Sequence, residues 1–355
     1  MGRLIIRGFS LLVFIFLGII NWICLALDNL FFWRFRKVEV KPPVYVIGMP
    51  RSATTLCYTL LTADSDNFTS MRLWEILLAP SIIQRKILLA LKKIDVAINH
   101  PLFKAVSRFE KFLFQKVEDI HLISLFNFEE DDFLFWHVFS TPSFIFLFPK
   151  NKRIISLQNF DLNLSTGYKR FLMKFYRNCI KRHLYVFGDT KRYLAKCPSH
   201  TPRIMTLPDY FPGCQFIYML RNPSDTIAST LNLFSRFKMI FHPKMNMDSI
   251  ITGTLSLADL YYKYPLVICR ELIGKSIFIL PFKELTSNTI VAIKLIYLHL
   301  GLSLPDRFRK FLQVSDDLKG KHKAKRKHSL EEFGLTNSTI NERYNYVFQE
   351  YSDCI

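Results

Sequence analysis

The chain has 355 residues, half of them hydrophobic, which is enough to bury a full core as one domain with an accessory segment. Its 48 Lys and Arg against 29 Asp and Glu leave a formal charge of +19, which requires an anionic partner such as a nucleotide, a nucleic acid or an acidic lipid surface. Seven scattered cysteines, with no paired CxxC spacing and no His at zinc-like intervals, argue against a zinc site and for packed, reduced thiols.

The first element is "FSLLVFIFLGIINWICLAL", residues 9–27, which carries no charge and is long enough to cross a bilayer at about 1.5 Å per residue. The expectation is an N-terminal membrane anchor over residues 1–37, single-pass or monotopic, with Trp33 and its Phe neighbours at headgroup depth. Arg3 and Arg7 precede the run, and Arg34, Arg36, Lys37 and Lys41 follow it closely. This charge balance leans toward a cytoplasmic catalytic domain over residues 38–355.

"VYVIGMPRSATT" comes next. Val44 to Ile47 are β-formers without polar interruption, as in a buried parallel strand, and Gly48, Met49 and Pro50 break the strand before a helix from about Thr54. A strand, a tight turn and a helix start aim backbone N–H groups and the positive end of a helix dipole at one point, which favours an anion. Unlike an NTP-binding loop, this turn has no Lys before its hydroxyl residues. It has Arg51, with Ser52, Thr54 and Thr55.

Residues 73–114 show helical spacing and begin a helical cap that extends to about 183. Phe133 to Phe148 is short for a membrane span and contains Pro142, so it reads as a buried helix broken at the proline. The acids Glu129 to Asp132 suit its first turn. From Tyr193 strands alternate with helices: "YLAKC", "QFIYML" and "SIFILPF" are strands, while "PSDTIASTLNLF" and "TIVAIKLIYLHLGL" are helices. This rhythm indicates an α/β fold with a mostly parallel, P-loop-like sheet flanked by helices. Ligands of such sheets sit beyond the strand carboxyl ends, where "GMPRSATT" and the ends of "YLAKC" and "QFIYML" meet.

Arg221 closes "FIYML" just before an Asn-Pro turn. Ser224 suits an N-cap and Asp225 the first helical turn, and Ser229 faces back by the 3.6-residue period. Arg followed eight residues later by Ser makes a second anion site, with a planar donor fork and a hydroxyl.

These two segments resemble the sulfotransferases that use 3′-phosphoadenosine 5′-phosphosulfate (PAPS). "GMPRSATTL" is similar to their 5′-phosphosulfate loop and "FIYMLRNPSDTIAST" to their 3′-phosphate segment. The bacterial membrane-associated branch also shows stretches like "RLWE", "EEDD", "KRH", "KCPSHT" and "HSLEEFGLT", so the resemblance runs from about Val38 to the end. It implies that Arg51 and the N–H groups of Ser52, Ala53, Thr54 and Thr55 hold the 5′-phosphate and sulfonate, and that Arg221 and Ser229 hold the 3′-phosphate. Ala53 departs from the family's usual Gly, and its methyl is costly if the position needs positive φ.

Sulfonate transfer builds charge on the leaving nucleotide's bridging oxygen and removes a proton from the acceptor. Lys196 resembles the lysine that protein-tyrosine sulfotransferases place on the cofactor. Glu75 in "RLWE" matches the superfamily's glutamate base, against the plainer reading of a helix-start acid paired with Arg72. His137 and His200 are its rivals as the base. The basic stretch at about 319–335 reads as a C-terminal lid, with Lys325, Arg326 and His328 as contacts. No metal is required. The acceptor is a hydroxyl or amine of a lipid, glycan or small metabolite; membrane is an expected partner and nucleic acid is not. Two other functions fit the same sheet: a P-loop-like nucleotide kinase or NTPase, and a non-catalytic membrane-bound adaptor.

Overall fold

A computed structural model describes residues 2–114, 124–319 and 329–355, with side chains at 15–111, 124–314 and 329–355. The chain forms two compact units: residues 1–41, 70–141 and 170–191 make the first, and residues 42–69, 142–169 and 192–355 the second.

The second unit holds the sheet. Its strands are β1 (Val44–Gly48), β2 (Phe68–Thr69), β3 (Arg192–Lys196), β4 (Gln215–Leu220) and β5 (Ile277–Pro281), all parallel, in the order β2-β3-β1-β4-β5. Every residue of β1 is buried, as its unbroken apolar run requires of a strand covered on both faces. From β1 the chain first goes out to the edge strand β2, returns inward to β3 beside β1, and then crosses to β4 on the other side. The strand order therefore reverses at β1, which puts the crevice for a ligand at its carboxyl end. The parallel α/β sheet expected from the sequence is present. The two-residue edge strand β2 carried no sequence signal.

Six helices position the polar residues of the two units: α1 (Gly2–Phe31), α2 (Thr54–Thr62), α3 (Leu73–Leu77), α4 (Ile82–Ala97), α5 (Thr166–Phe187) and α6 (Pro223–Phe241). The expected broken helix at 133–148 is two 3-10 helices, Asp131–Val138 and Pro142–Phe146, parted where Phe139 turns left-handed at φ 50°. Asp131 and Asp132 do lie in the first turn, and there they accept from the hydroxyls of Tyr176 and Thr141.

The apolar N-terminal run becomes α1, and the anchor expectation is corrected there. Asn21 and Asp28 are buried, at 1% and 0% exposure. Asn21 donates to the Leu77 carbonyl at 3.0 Å and accepts from Gln84 Nε2 at 2.6 Å. The Asp28 carboxylate takes the first N–H groups of α4, Ile82 at 2.8 Å and Ile83 at 3.1 Å, and also Arg182 Nε of α5 at 2.9 Å. A buried charge is tolerable only when saturated in this way. Asn21 and Asp28 are thus committed to protein partners within the first unit. Among the described residues no helix is long and apolar enough to cross a membrane. The single-pass or monotopic anchor is overturned, and the inference of a cytoplasmic catalytic domain, which rested on its flanking charges, falls with it.

Candidate functional site

The turn after β1 is built from unusual backbone. Gly48 sits at φ 138°, and a Cβ there would meet the Met219 carbonyl oxygen at 2.8 Å, so no other residue fits. Arg51 and Ala53 are both left-handed, at φ 72° and 71°. Left-handed residues alternating with ordinary ones turn successive N–H groups toward one concavity, an anion nest, and here the nest runs into the start of α2. Ala53 is the N-cap residue of α2 and offers its first N–H groups no side-chain acceptor. The fork left open by the sequence is therefore decided: this position does use positive φ, and the Ala53 methyl is strained. Ala53→Gly is expected to stabilise the protein by about 0.5–1 kcal/mol after the entropy of the unfolded glycine is deducted. Urea denaturation checks this, with an unchanged midpoint as the contrary result.

The second segment is joined to this turn. The N-cap of α6 is Asn222, whose Oδ1 accepts from Ser224 N at 2.9 Å, so the expected cap at Ser224 is displaced by two residues. Asp225 is in the first turn as expected. Arg51 Nε donates to Ser229 Oγ at 3.1 Å, Arg221 Nη1 donates to the Arg51 carbonyl at 2.8 Å, and Thr230 Oγ1 lies 3.1 Å from the Pro50 carbonyl. Arg221 stacks its guanidinium 4.3 Å above the Phe282 ring, and its own carbonyl accepts from Tyr262 Oη at 2.8 Å. The two segments that the sequence paired by analogy form one polar cradle.

Its electrostatics call for an anion. Burial, then the neighbouring Arg221 and Arg236, push the Arg51 pKa below its ordinary value. Burial does the same to Arg221, opposed by Asp225, whose carboxylate is 3.9 Å away and largely exposed. Three buried side-chain atoms of the two segments, Ser52 Oγ, Ser224 Oγ and Arg221 Nε, have no hydrogen-bond partner. Like charges held together beside unsatisfied donors fit a multiply charged phosphate ligand. Arg236 was missed by sequence reasoning, although it stands seven residues after Ser229 on α6 and so shares its face.

Lys196, the last residue of β3, pairs in register with Val46 and is 2% exposed. His200 is fully buried, with Nδ1 3.1 Å from Arg203 Nη1 and its ring edge-on to Tyr45.

A sulfotransferase family model matches residues 42–306, well over half of the chain. The chain belongs to the sulfotransferase family. It is 27% identical over 328 residues to the omega-hydroxy-beta-dihydromenaquinone-9 sulfotransferase Stf3 of Mycobacterium tuberculosis (strain CDC 1551 / Oshkosh), covering 86% of this chain and 76% of that protein, and equally to Stf3 of Mycobacterium bovis. Two crystal structures share the fold: sulfotransferase STF9 from Mycobacterium avium (TM-score 0.69, 16% identity, 92% of this chain and 81% of that one) and STF1 from Mycobacterium tuberculosis H37Rv (0.64, 17%, 93% and 84%).

The candidate base residues Glu75 and His137 of this sulfotransferase lie in its first unit. Glu75 stands at the third position of α3, where Oε1 accepts the Arg72 N–H at 3.0 Å. Its Oε2 meets His183 Nδ1 at 2.7 Å and Arg85 Nε at 3.4 Å, and the side chain is 2% exposed. Burial would raise this carboxyl, but His183, Arg85 and the Arg72 N–H together hold it below the ordinary value. The Arg72 guanidinium goes elsewhere, to the Phe126 carbonyl and the face of Phe128. His137 donates from Nε2 to the Ile76 carbonyl at 2.7 Å, and burial lowers its pKa, so the ring is neutral near neutral pH. Lys325, Arg326 and His328 lie outside the described residues. Among the described residues no group of three His, Cys, Asp or Glu is placed to hold a metal ion.

Proposed function

We propose that this sulfotransferase moves a sulfuryl group from PAPS to the hydroxyl of an apolar, lipid-like acceptor by in-line displacement. The observation that supports this best is the pair of arginine segments locked together by Arg51 Nε and Ser229 Oγ, with unsatisfied donors at both ends. The donor, when bound, supplies the activated sulfonate and a good leaving group. Arg51 and the nest N–H groups of Ser52 to Thr55 hold its 5′ end, and Arg221 and Ser229 hold its 3′-phosphate, with the Ser224 hydroxyl beside them. Lys196 neutralises the charge that grows on the leaving phosphate. Glu75, kept ionised by its network, takes the acceptor's proton. The acceptor in the relative's name, an omega-hydroxy dihydromenaquinone, supports an apolar acceptor bearing a hydroxyl over a glycan or an amine.

Calorimetry with adenosine 3′,5′-bisphosphate in the absence of magnesium tests the donor half, and transfer of labelled sulfate from PAPS to a hydroxylated isoprenoid quinone tests the acceptor half. Tight binding of the bisphosphate is expected. A preference for magnesium-ATP would move the assignment to a kinase or NTPase, and the lack of any nucleotide binding would leave a non-catalytic adaptor.

A further inference from the structure

The peptide that opens the phosphosulfate loop needs an acceptor that the sheet cannot provide. In the β1–β3 ladder Val46 faces β3, accepting from Cys197 N at 3.3 Å, and by the period of two Gly48 presents its N–H on the same side. The next ladder acceptor would be the Cys197 carbonyl. That carbonyl has already turned into the 3-10 helix Pro198–Arg203, where it accepts from His200 N at 3.1 Å. Gly48 is buried, so its N–H must find another partner. Thr201 Oγ1 takes it at 3.0 Å, and Thr201 is itself 0% exposed.

We infer that Thr201 is a positioning residue for donor binding: its hydroxyl stands in for the lost ladder acceptor, fixes the Gly48 peptide, and thereby aims the N–H nest of residues 52–55 at the 5′ end of the nucleotide. The β-methyl-bearing side chain packs in place while Oγ1 alone carries the function. Gly48 admits no compensating shift toward β4, because the Met219 carbonyl oxygen already lies 2.8 Å from where a Cβ would be. A free Gly48 N–H would have to rotate its peptide to reach another acceptor, and the loop residues after it would rotate too. Neither anion segment contains Thr201, and the resemblance that picked out those segments gave it no role.

This inference rests on the proposed nucleotide, and one measurement separates the two. Adenosine 3′,5′-bisphosphate and adenosine 3′-monophosphate differ only in the 5′-phosphate, so the ratio of their dissociation constants reads the loop alone. In the native protein the bisphosphate is expected to bind much more tightly; equal binding of the two would overturn both the function and the role of Thr201. Given that preference, Thr201→Val should shrink the ratio by about tenfold, the effect of one misdirected hydrogen-bond set. Thr201→Ser, which keeps the oxygen, should restore it. A merely structural role would lower the melting temperature of Thr201→Val and leave the ratio unchanged, and that result overturns the inference while the function stands. If Thr201→Val does not fold, Thr201→Cys, close in shape with a weak acceptor, must also shrink the ratio; a native ratio in that variant overturns the inference equally.

Discussion

Arg51→Ala is expected to lower sulfuryl transfer by at least about a thousandfold while leaving the protein as stable as before. On the proposed reading the guanidinium gives charge-assisted bonds of roughly 1.5–3 kcal/mol each to a phosphate group, and two of them account for a loss of that size. The fold does not depend on it in the same way. Arg51 occupies a left-handed backbone position that alanine tolerates no worse, and its charge is set against those of Arg221 and Arg236. Removing it relieves that repulsion, so the melting temperature should hold or rise. Arg51→Lys keeps the charge but loses the planar fork whose Nε donates to Ser229, and should fall between the two. Bisphosphate calorimetry alongside thermal melting checks the prediction. A variant that loses activity only because it unfolds would speak against a ligand-binding role.

Glu75→Ala should be the most destabilising single change in the first unit, by about 3–5 kcal/mol, because it strips the carboxylate from a buried Arg85 and a buried His183 at once. The pH dependence has a definite sign. The folded pKa of Glu75 is depressed below its unfolded value of about 4.3. Its contribution is therefore present above that pH and lost as pH falls through the folded pKa. Urea melts from pH 7 down to pH 3 should show a drop in native stability that Glu75→Gln lacks. The same Gln variant tests the chemistry. It keeps the shape and the Arg72 N–H bond at Oε1 but not the charge that faces Arg85 and His183, so in the folded variant loss of transfer with bisphosphate affinity intact supports Glu75 as the base. Full transfer in the folded variant would leave Glu75 as a capping and ion-pairing residue alone.

The strand, turn and helix start at residues 44–55 were legible because their local chemistry is self-contained: apolar β-formers, a Gly-Met-Pro break and hydroxyl residues at a helix start need no distant partner to be recognised. The strands "YLAKC", "QFIYML" and "SIFILPF" were legible for the same reason and are β3, β4 and β5. The first helix was misread because hydropathy averages over a segment and gives little weight to two polar residues. Asn21 and Asp28 decide its environment through partners 56 and 54 positions away in the chain, Leu77 and Ile82. The same blindness applied to Glu75, whose pairing with Arg72 was sought between side chains. Its carboxylate instead meets the Arg72 backbone and a histidine 108 residues on.

By itself the amino-acid order determined four of the five strands, the parallel sheet and the two arginine segments, since each is written in contiguous residues whose backbone preferences and charges act locally. Tertiary structure alone decided that Arg51 reaches Ser229 across 178 residues, that Ala53 is left-handed, and that Thr201 completes the strand that β3 abandons. Hydrogen bonds between distant segments depend on where the sheet's crossovers place them, and no local propensity encodes that distance.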